Sequence, residues 1–408
     1  MSTENCEVAI IGGGPAGAVL ATFLSRHGHD CVLLEKSSFP RYHIGESLIP
    51  HTHGTFRRLG LLPQMQGSDY PEKYSVRFVS PTGKENDPFY FSETITGDGA
   101  RTWQVERSTF DRMLLDHAHS SGAKVMERVR VHDVLFDGKR AVGVRAGQNG
   151  SSFELGAKVV VDASGRATII GRQLGLRDEV PGLDKSSLWG YYRGGRRLPG
   201  KDAGETTIFL LGESGWFWFI PLPDDIISVG IVSPPEYLNL EQGRYEEILQ
   251  REIRKCAPLW ERLENATLEG QARGLKRLSY LNRQTCGEGW VMLGDARAFL
   301  DPIYSSGLFL ALASAELAAD SIHEAIKLDD LSPSALGSFE PALAEGIEVI
   351  RRLIHAFYDP TFSFRKFVES FPRHRGALID CLVGDVLKDM SSFKDSLAEM
   401  TPPPPPLG

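Results

Sequence analysis

VAIIGGGPAGAVLATFLSRHGHDCVLLE, residues 8–35, decides the fold class. Val8 to Ile11 is a short β-branched run, Gly12 to Gly17 a turn, Ala18 to Ser25 helical in composition, and Cys31 to Leu34 a second apolar strand. That order is a βαβ unit. Gly12, Gly14 and Gly17 form GxGxxG between the predicted strand and helix, and Glu35 ends the next strand 21 residues beyond Gly14. The glycines let the backbone approach a pyrophosphate at a helix N-terminus, where free N–H groups and the helix dipole favour negative charge. The Glu35 carboxylate can accept from a ribose hydroxyl. A glycine-rich turn without ligand would share the spacing but not the strand, helix and acid around it.

The rest of the chain is consistent with a large globular protein. Its 408 residues allow one composite domain or two to three smaller ones, and 41% hydrophobic with 24% charged residues excludes a disordered chain or a fibrous rod. A net charge of −8 argues against nucleic acid as the general partner, since phosphate binding needs a basic footprint. Cys6, Cys31, Cys256, Cys286 and Cys381 are scattered with no CxxC pair, so no disulfide framework or metal site is predicted and a reducing, cytoplasmic setting fits. The apolar run Val8 to Leu24 is interrupted by three glycines and preceded by acidic residues, unlike a signal peptide. No other stretch approaches the ~20 apolar residues that cross a bilayer, and no membrane association is expected.

Strand patterns recur at Tyr74 to Phe78, Val129 to Leu135, Ala141 to Val144 and Thr206 to Leu211, and helical periodicity at Arg107 to Ser120 and Ala311 to Lys327. From Ser332 the pattern is mainly helical, and Pro402 to Pro406 predict an extended, solvated tail. The expected organisation is a discontinuous nucleotide domain (1–70, 101–175, 276–330), a β-rich substrate domain (71–100, 176–275), a helical region (331–400) and a tail (401–408).

Two later segments are strand-end turns: VVVDASGR (residues 159–166) and VMLGDA (residues 291–296). With GGGPAG and Glu35 they resemble the FAD-binding segments of flavoprotein monooxygenases, an α/β fold of the hydroxylase type with an inserted β-rich domain. Arg107 in VERSTFD is similar to an arginine that contacts the flavin there, although a helix-start arginine can simply be exposed. GWFWFIP (residues 215–221) contains WxWxIP, and FPRYHIGESLIP (39–50) and DPIYSSG (301–307) accompany it. Together these resemble the flavin-dependent halogenases over roughly residues 5 to 395.

The resemblance implies FAD, used in its reduced form, with O2 and chloride or bromide as co-substrates. Implied cofactor contacts are Gly12, Gly14, Pro15, Ala16, Gly17, Glu35 and Lys36 near the dinucleotide; Arg41, Ile44, Gly45, Ser47 and Arg107 beside it; and Asp162, Ala163, Ser164, Gly165, Gly294, Asp295, Pro302, Gly307 and Leu308 at the strand ends. No second GxGxxG is present, so electrons either reach the flavin transiently or arrive as reduced flavin made by a separate flavin reductase. Flavin hydroperoxide would hydroxylate any organic ring touching it. Bulky indoles, Trp216 and Trp218, would prevent that contact while a halide still reaches the peroxide and leaves as hypohalous acid. A halide needs N–H donors, which the turn at Ser305, Ser306 and Gly307 offers at a helix start. Lys73 matches the family's lysine by position; its amine can form a haloamine or hydrogen-bond the acid, provided burial disfavours the charged form. By sequence alone it is also a plain loop lysine beside Glu72.

Tyr304 stands where tryptophan-chlorinating members carry Glu, which points to an already activated ring, a phenol or pyrrole, free or tethered to an acyl-carrier protein. His43, His51 and His53 do not single out a general base. Arg193, Arg196, Arg197 and Lys201 form a basic cluster that could meet an acidic carrier or be a solvated hairpin. FYDPTF and LVGDVL in residues 353–387 resemble the helical region of the phenol and pyrrole branch, yet longer relatives continue further, so a more open pocket is expected. A flavin monooxygenase or dehydrogenase with tryptophans packing its pocket, and a flavin carrier without turnover, would share the fingerprint.

Overall fold

The computed structural model describes residues 4–405. The opening βαβ unit forms as the sequence predicts: strand Glu4–Ile11, helix Pro15–Arg26, strand Cys31–Glu35. Glu4–Ile11 is the centre of a mainly parallel sheet, between Ser151–Asp162 and Cys31–Glu35, with Lys124–Glu127 beyond one side and Trp290–Met292 beyond the other. Its register pairs Ile11 with both Asp162 and Leu34, so the carboxyl ends of three strands finish level at one edge. In a doubly wound sheet that edge is where ligands bind. Helices Pro15–Arg26, Arg107–Ser120 and Ser306–Lys327 bury one face of it in a shared apolar core. Two positions of the GxGxxG turn require glycine. A Cβ on Gly12, at φ +104°, would lie 2.5 Å from the Ala163 carbonyl oxygen, and one on Gly17 would lie 2.0 Å from the Gly12 oxygen.

The second sheet has seven strands, and Trp216–Pro221 lies inside it between Thr206–Leu210 and Ile226–Ser233. Strand alternation puts Trp216, Trp218 and Ile220 on one face and Phe217 and Phe219 on the other. Trp218 has room only because it faces Gly230, where a Cβ would sit 2.3 Å from the indole. A short antiparallel ribbon, Glu72–Lys73 with Thr102–Trp103, connects the two sheets.

Helices Glu340–Tyr358, Phe364–Ser370, Arg375–Val383 and Ser391–Ala398 follow. They share one apolar core with Trp216, Trp218 and Phe91. The helical region packs over the tryptophan face, leaving Trp216 at 1% exposure. The expected extended, solvated tail is not what forms. Thr401 donates to Asp359, the Pro405 carbonyl accepts from Arg351 at 2.8 Å, and Pro404 is buried; the later residues lie outside the described ones. No helix among the described residues is long and apolar enough to cross a membrane, and all five cysteines are free thiols.

Candidate active site

A cavity of about 440 Å³ runs from the GxGxxG turn to the tryptophan strand. At one end lie Gly12, Gly14, Pro15 and Ala16, where the helix begins with Gly14 as its cap and no side chain satisfies the first N–H groups. Glu35 closes this end, its carboxylate accepting from the N–H of Gly13 and of Ser37, each at 2.8 Å, with Lys36 beside it. Arg41 faces the same space; its Nη1 is 3.0 Å from Asp111 without an aligned hydrogen bond. Donors without acceptors, a cationic guanidinium and a carboxylate on the neighbouring strand fit a pyrophosphate and a ribose, as a bound FAD would present them.

The middle of the cavity is shaped by the loop through Ile44, Gly45 and Ser47 and by the strand-end turn Ala163, Ser164 and Gly165. Arg107 is not the exposed helix-start residue its sequence allows. It is 5% exposed, forked onto Asp111 at 2.7 and 2.9 Å, and donates to the carbonyls of Ile44 and Gly45, which fixes the loop. Asp295 faces the cavity from the GDA turn, its carboxyl pushed up to about 6 by desolvation against the pull of Arg166 and Arg107. His43 lines the same wall and bonds the Ile44 carbonyl through Nδ1 at 2.6 Å.

The far end is the tryptophan wall. Trp216, Trp218, Ile220, Thr206 and Ile208 all come from one sheet face. Trp216 and Trp218 stand with ring centroids 6.1 Å apart, tilted by 55°. Trp218 donates to Ser228 at 3.1 Å; Trp216 donates to Tyr358, which donates to Asp301, both at 2.9 Å. Burial raises the Asp301 carboxyl to about 6. Pro302, Ser305, Gly307 and Leu308 complete this end, with Ser305 left-handed at φ +54° just before the helix Ser306–Lys327.

Lys73 is fully buried and does not line the cavity. Its Nζ donates to Ser47 Oγ at 2.8 Å and to the Leu48 carbonyl at 3.2 Å, and lies 5.5 Å from the Phe91 ring centre. Desolvation lowers its amine from 10.5 to about 7, with Glu205 opposing. A lysine in that range is half neutral near physiological pH.

Four other expected residues also turn away from the cavity. Gly17 serves helix-to-strand packing, as its approach to Gly12 demands. Asp162 is fully buried and accepts from the N–H of Ser164 and Ile170, so it braces the turn. Gly294 donates its N–H to Ser314 and lets helix Ser306–Lys327 approach, while Ser306 lines a separate cavity of about 30 Å³. The histidines do not converge either: His51 pairs with Asp385 and His53 stacks on Trp103. In the basic cluster, Arg193 and Arg196 pair with Glu269 and Glu261, Arg197 donates to the Leu222 carbonyl, and Lys201 covers Tyr90. Arg166, Trp189, Thr206 and Asp301 line the cavity without having been singled out by the sequence. Only Arg166 and Asp301 had a signal, as polar members of the ASGR and DPIYSSG turns.

A family model described as FAD binding domain matches residues 5–192. The 1H-pyrrole-2-carbonyl-(peptidyl-carrier protein) chlorinase of Pseudomonas fluorescens is 33% identical over 410 residues, covering 95% of this chain and 90% of the relative. Among solved structures, the myxobacterial chondrochloren halogenase CndH superposes with a TM-score of 0.82 at 34% identity, covering 97% of this chain and 96% of that one. The flavin-dependent brominase Bmp2 superposes at 0.87 with 28% identity, over 97% and 98%. The cofactor is FAD, and the chain belongs to the flavin-dependent halogenases.

Proposed function

We propose that this chain halogenates an electron-rich aromatic ring, a phenol or a pyrrole, with Lys73 as the residue that receives the oxidised halogen. The observation that carries the lysine's role is its position: fully buried, one hydrogen bond behind Ser47, in the wall that Trp216 and Trp218 continue. Bound reduced FAD, with O2 and a halide, supplies the oxidised halogen. Gly12, Gly14, Glu35 and Arg41 hold the dinucleotide end, Arg107 fixes the loop beside the ring system, and Gly307, in the first turn of its helix, presents its backbone N–H to the halide, the Ser305 N–H being already donated to the Pro302 carbonyl at 3.0 Å. Trp216 and Trp218 keep the organic ring out of the flavin cavity, so the halogen and not oxygen reaches it.

Similarity to a carrier-protein chlorinase favours a pyrrole or related ring delivered on a carrier, and the absence of a carboxylate at Tyr304 favours a ring that needs no added activation. A separate flavin reductase is the expected electron source. We further propose that the two sheets mark separate nucleotide and substrate domains, divided near residues 70, 100, 175 and 275. The test is direct: reduced FAD, O2 and bromide are supplied with phenol and pyrrole substrates, free and carrier-bound, and products are weighed. A mass gain of one bromine is expected; a gain of one oxygen that ignores halide would make this a hydroxylase.

A further inference from the structure

Resting on that reading, we propose that the Ser47 hydroxyl, oriented by Thr206 and Gln104, is the proton relay between Lys73 and the oxidised halogen. Lys73 has no exposed surface, so an oxidised halogen reaches its amine from the flavin cavity only past the side chains that cover it. The polar groups between its amine and the cavity are two hydroxyls, Ser47 Oγ at 2.8 Å from Nζ and Thr206 Oγ1 at 3.1 Å from Ser47 Oγ, and both residues line the cavity.

The hydrogen count in this cluster is restrictive. Gln104 Nε2 donates to the Gly204 carbonyl at 2.9 Å, which fixes its amide orientation, and it also donates to Thr206 Oγ1 at 2.8 Å. Lys73 donates to Ser47 Oγ. The pair of hydroxyls holds two protons and shares one hydrogen bond, so one proton has no acceptor among the described residues. Both residues line the cavity, and the relay assigns that proton to it. It would meet the oxygen of a hypohalous acid.

The step then balances. The Nζ lone pair attacks the halogen; the N–X bond forms and the O–X bond breaks. The departing hydroxide takes the hydroxyl proton of the pair and leaves as water, and Ser47 Oγ recovers a proton from the Nζ–H already bonded to it. Hypohalous acid and amine give haloamine and water, with no other reductant or oxidant.

Three variants are compared with the wild-type enzyme, given reduced FAD, O2, bromide and a phenol. Ser47→Ala is expected to lower brominated product per flavin oxidised at least tenfold and to release hypobromite that a soluble enol trap collects. Removing an acceptor from Nζ–H also disfavours its charged form, so the pH midpoint of the residual product should move to lower pH. Thr206→Val, which keeps the fold's shape and removes only the orienting hydroxyl, should lose severalfold, with recovery in Thr206→Ser. Wild-type yield and midpoint in both Ser47→Ala and Thr206→Val would overturn the relay. Failure of the wild-type enzyme to brominate anything would instead overturn the functional reading beneath it.

Discussion

Lys73 carries the sharpest consequences at the residue scale. Its amine drops from 10.5 to about 7 on burial, a difference of roughly 5 kcal/mol at ~1.36 kcal/mol per tenfold. Because the folded value lies below the unfolded one, the penalty is full below about pH 7 and fades as pH rises toward 10.5. Lys73→Met removes it, and leaves the buried Leu48 carbonyl and Ser47 short of a donor at about 1–3 kcal/mol. The variant should therefore melt a few degrees higher at pH 6.5, and the gain should shrink by pH 9.5; calorimetry at both pH values checks this. If the neutral amine accepts the halogen, product formation in the wild-type enzyme rises with pH through about 7, measurable as a pH profile of bromination. The burial behind these numbers was not readable from PEKYSVRF, where Lys73 sits beside an acid in what looks like a loop. It comes from pairing with Thr102, about thirty residues away, and from the Ser47 loop folding over it.

Elements were more legible than contacts. Every part of the opening βαβ unit follows from spacing, since a GxGxxG turn has few backbone solutions, and the helix Arg107–Ser120 and the strand Thr206–Leu210 follow from periodicity. Facing was harder. Asp162 ends an apolar strand as a ligand would, yet alternation turns it inward to two N–H groups; the same alternation, read on WFWFI, does place both indoles together. Gly230 is the silent partner of that strand, and no local pattern reveals it. Gly230→Ala would push the Trp218 indole from its seat, as a Cβ there lies 2.3 Å from the ring. Overpacking of this kind costs about 1–3 kcal/mol. We expect a matching loss of stability in denaturant unfolding, a changed tryptophan fluorescence spectrum, and halide-independent oxygenation of the substrate where wild type shows none.

Across the whole molecule, the helical region and the flavin cavity are joined by one chain of bonds, Trp216 to Tyr358 to Asp301. The sequence flagged FYDPTF only by resemblance, and it gave no hint that Tyr358 reaches back to a strand more than a hundred residues earlier. Tyr358→Phe leaves the indole N–H without an acceptor and Asp301 with only the Ile303 N–H, at about 1–3 kcal/mol for buried groups. The melting temperature should fall by a few degrees and hydrogen peroxide should rise at the expense of halogenated product, quantified side by side in one turnover assay. If Lys73 receives the oxidised halogen, flavin oxidation proceeds without it while halogen delivery does not. The direct measurement follows reoxidation of reduced FAD and incorporation of bromine into a phenol together in Lys73→Met. Continued reoxidation with bromine incorporation down at least a hundredfold is the predicted result; incorporation at the wild-type level would contradict the account.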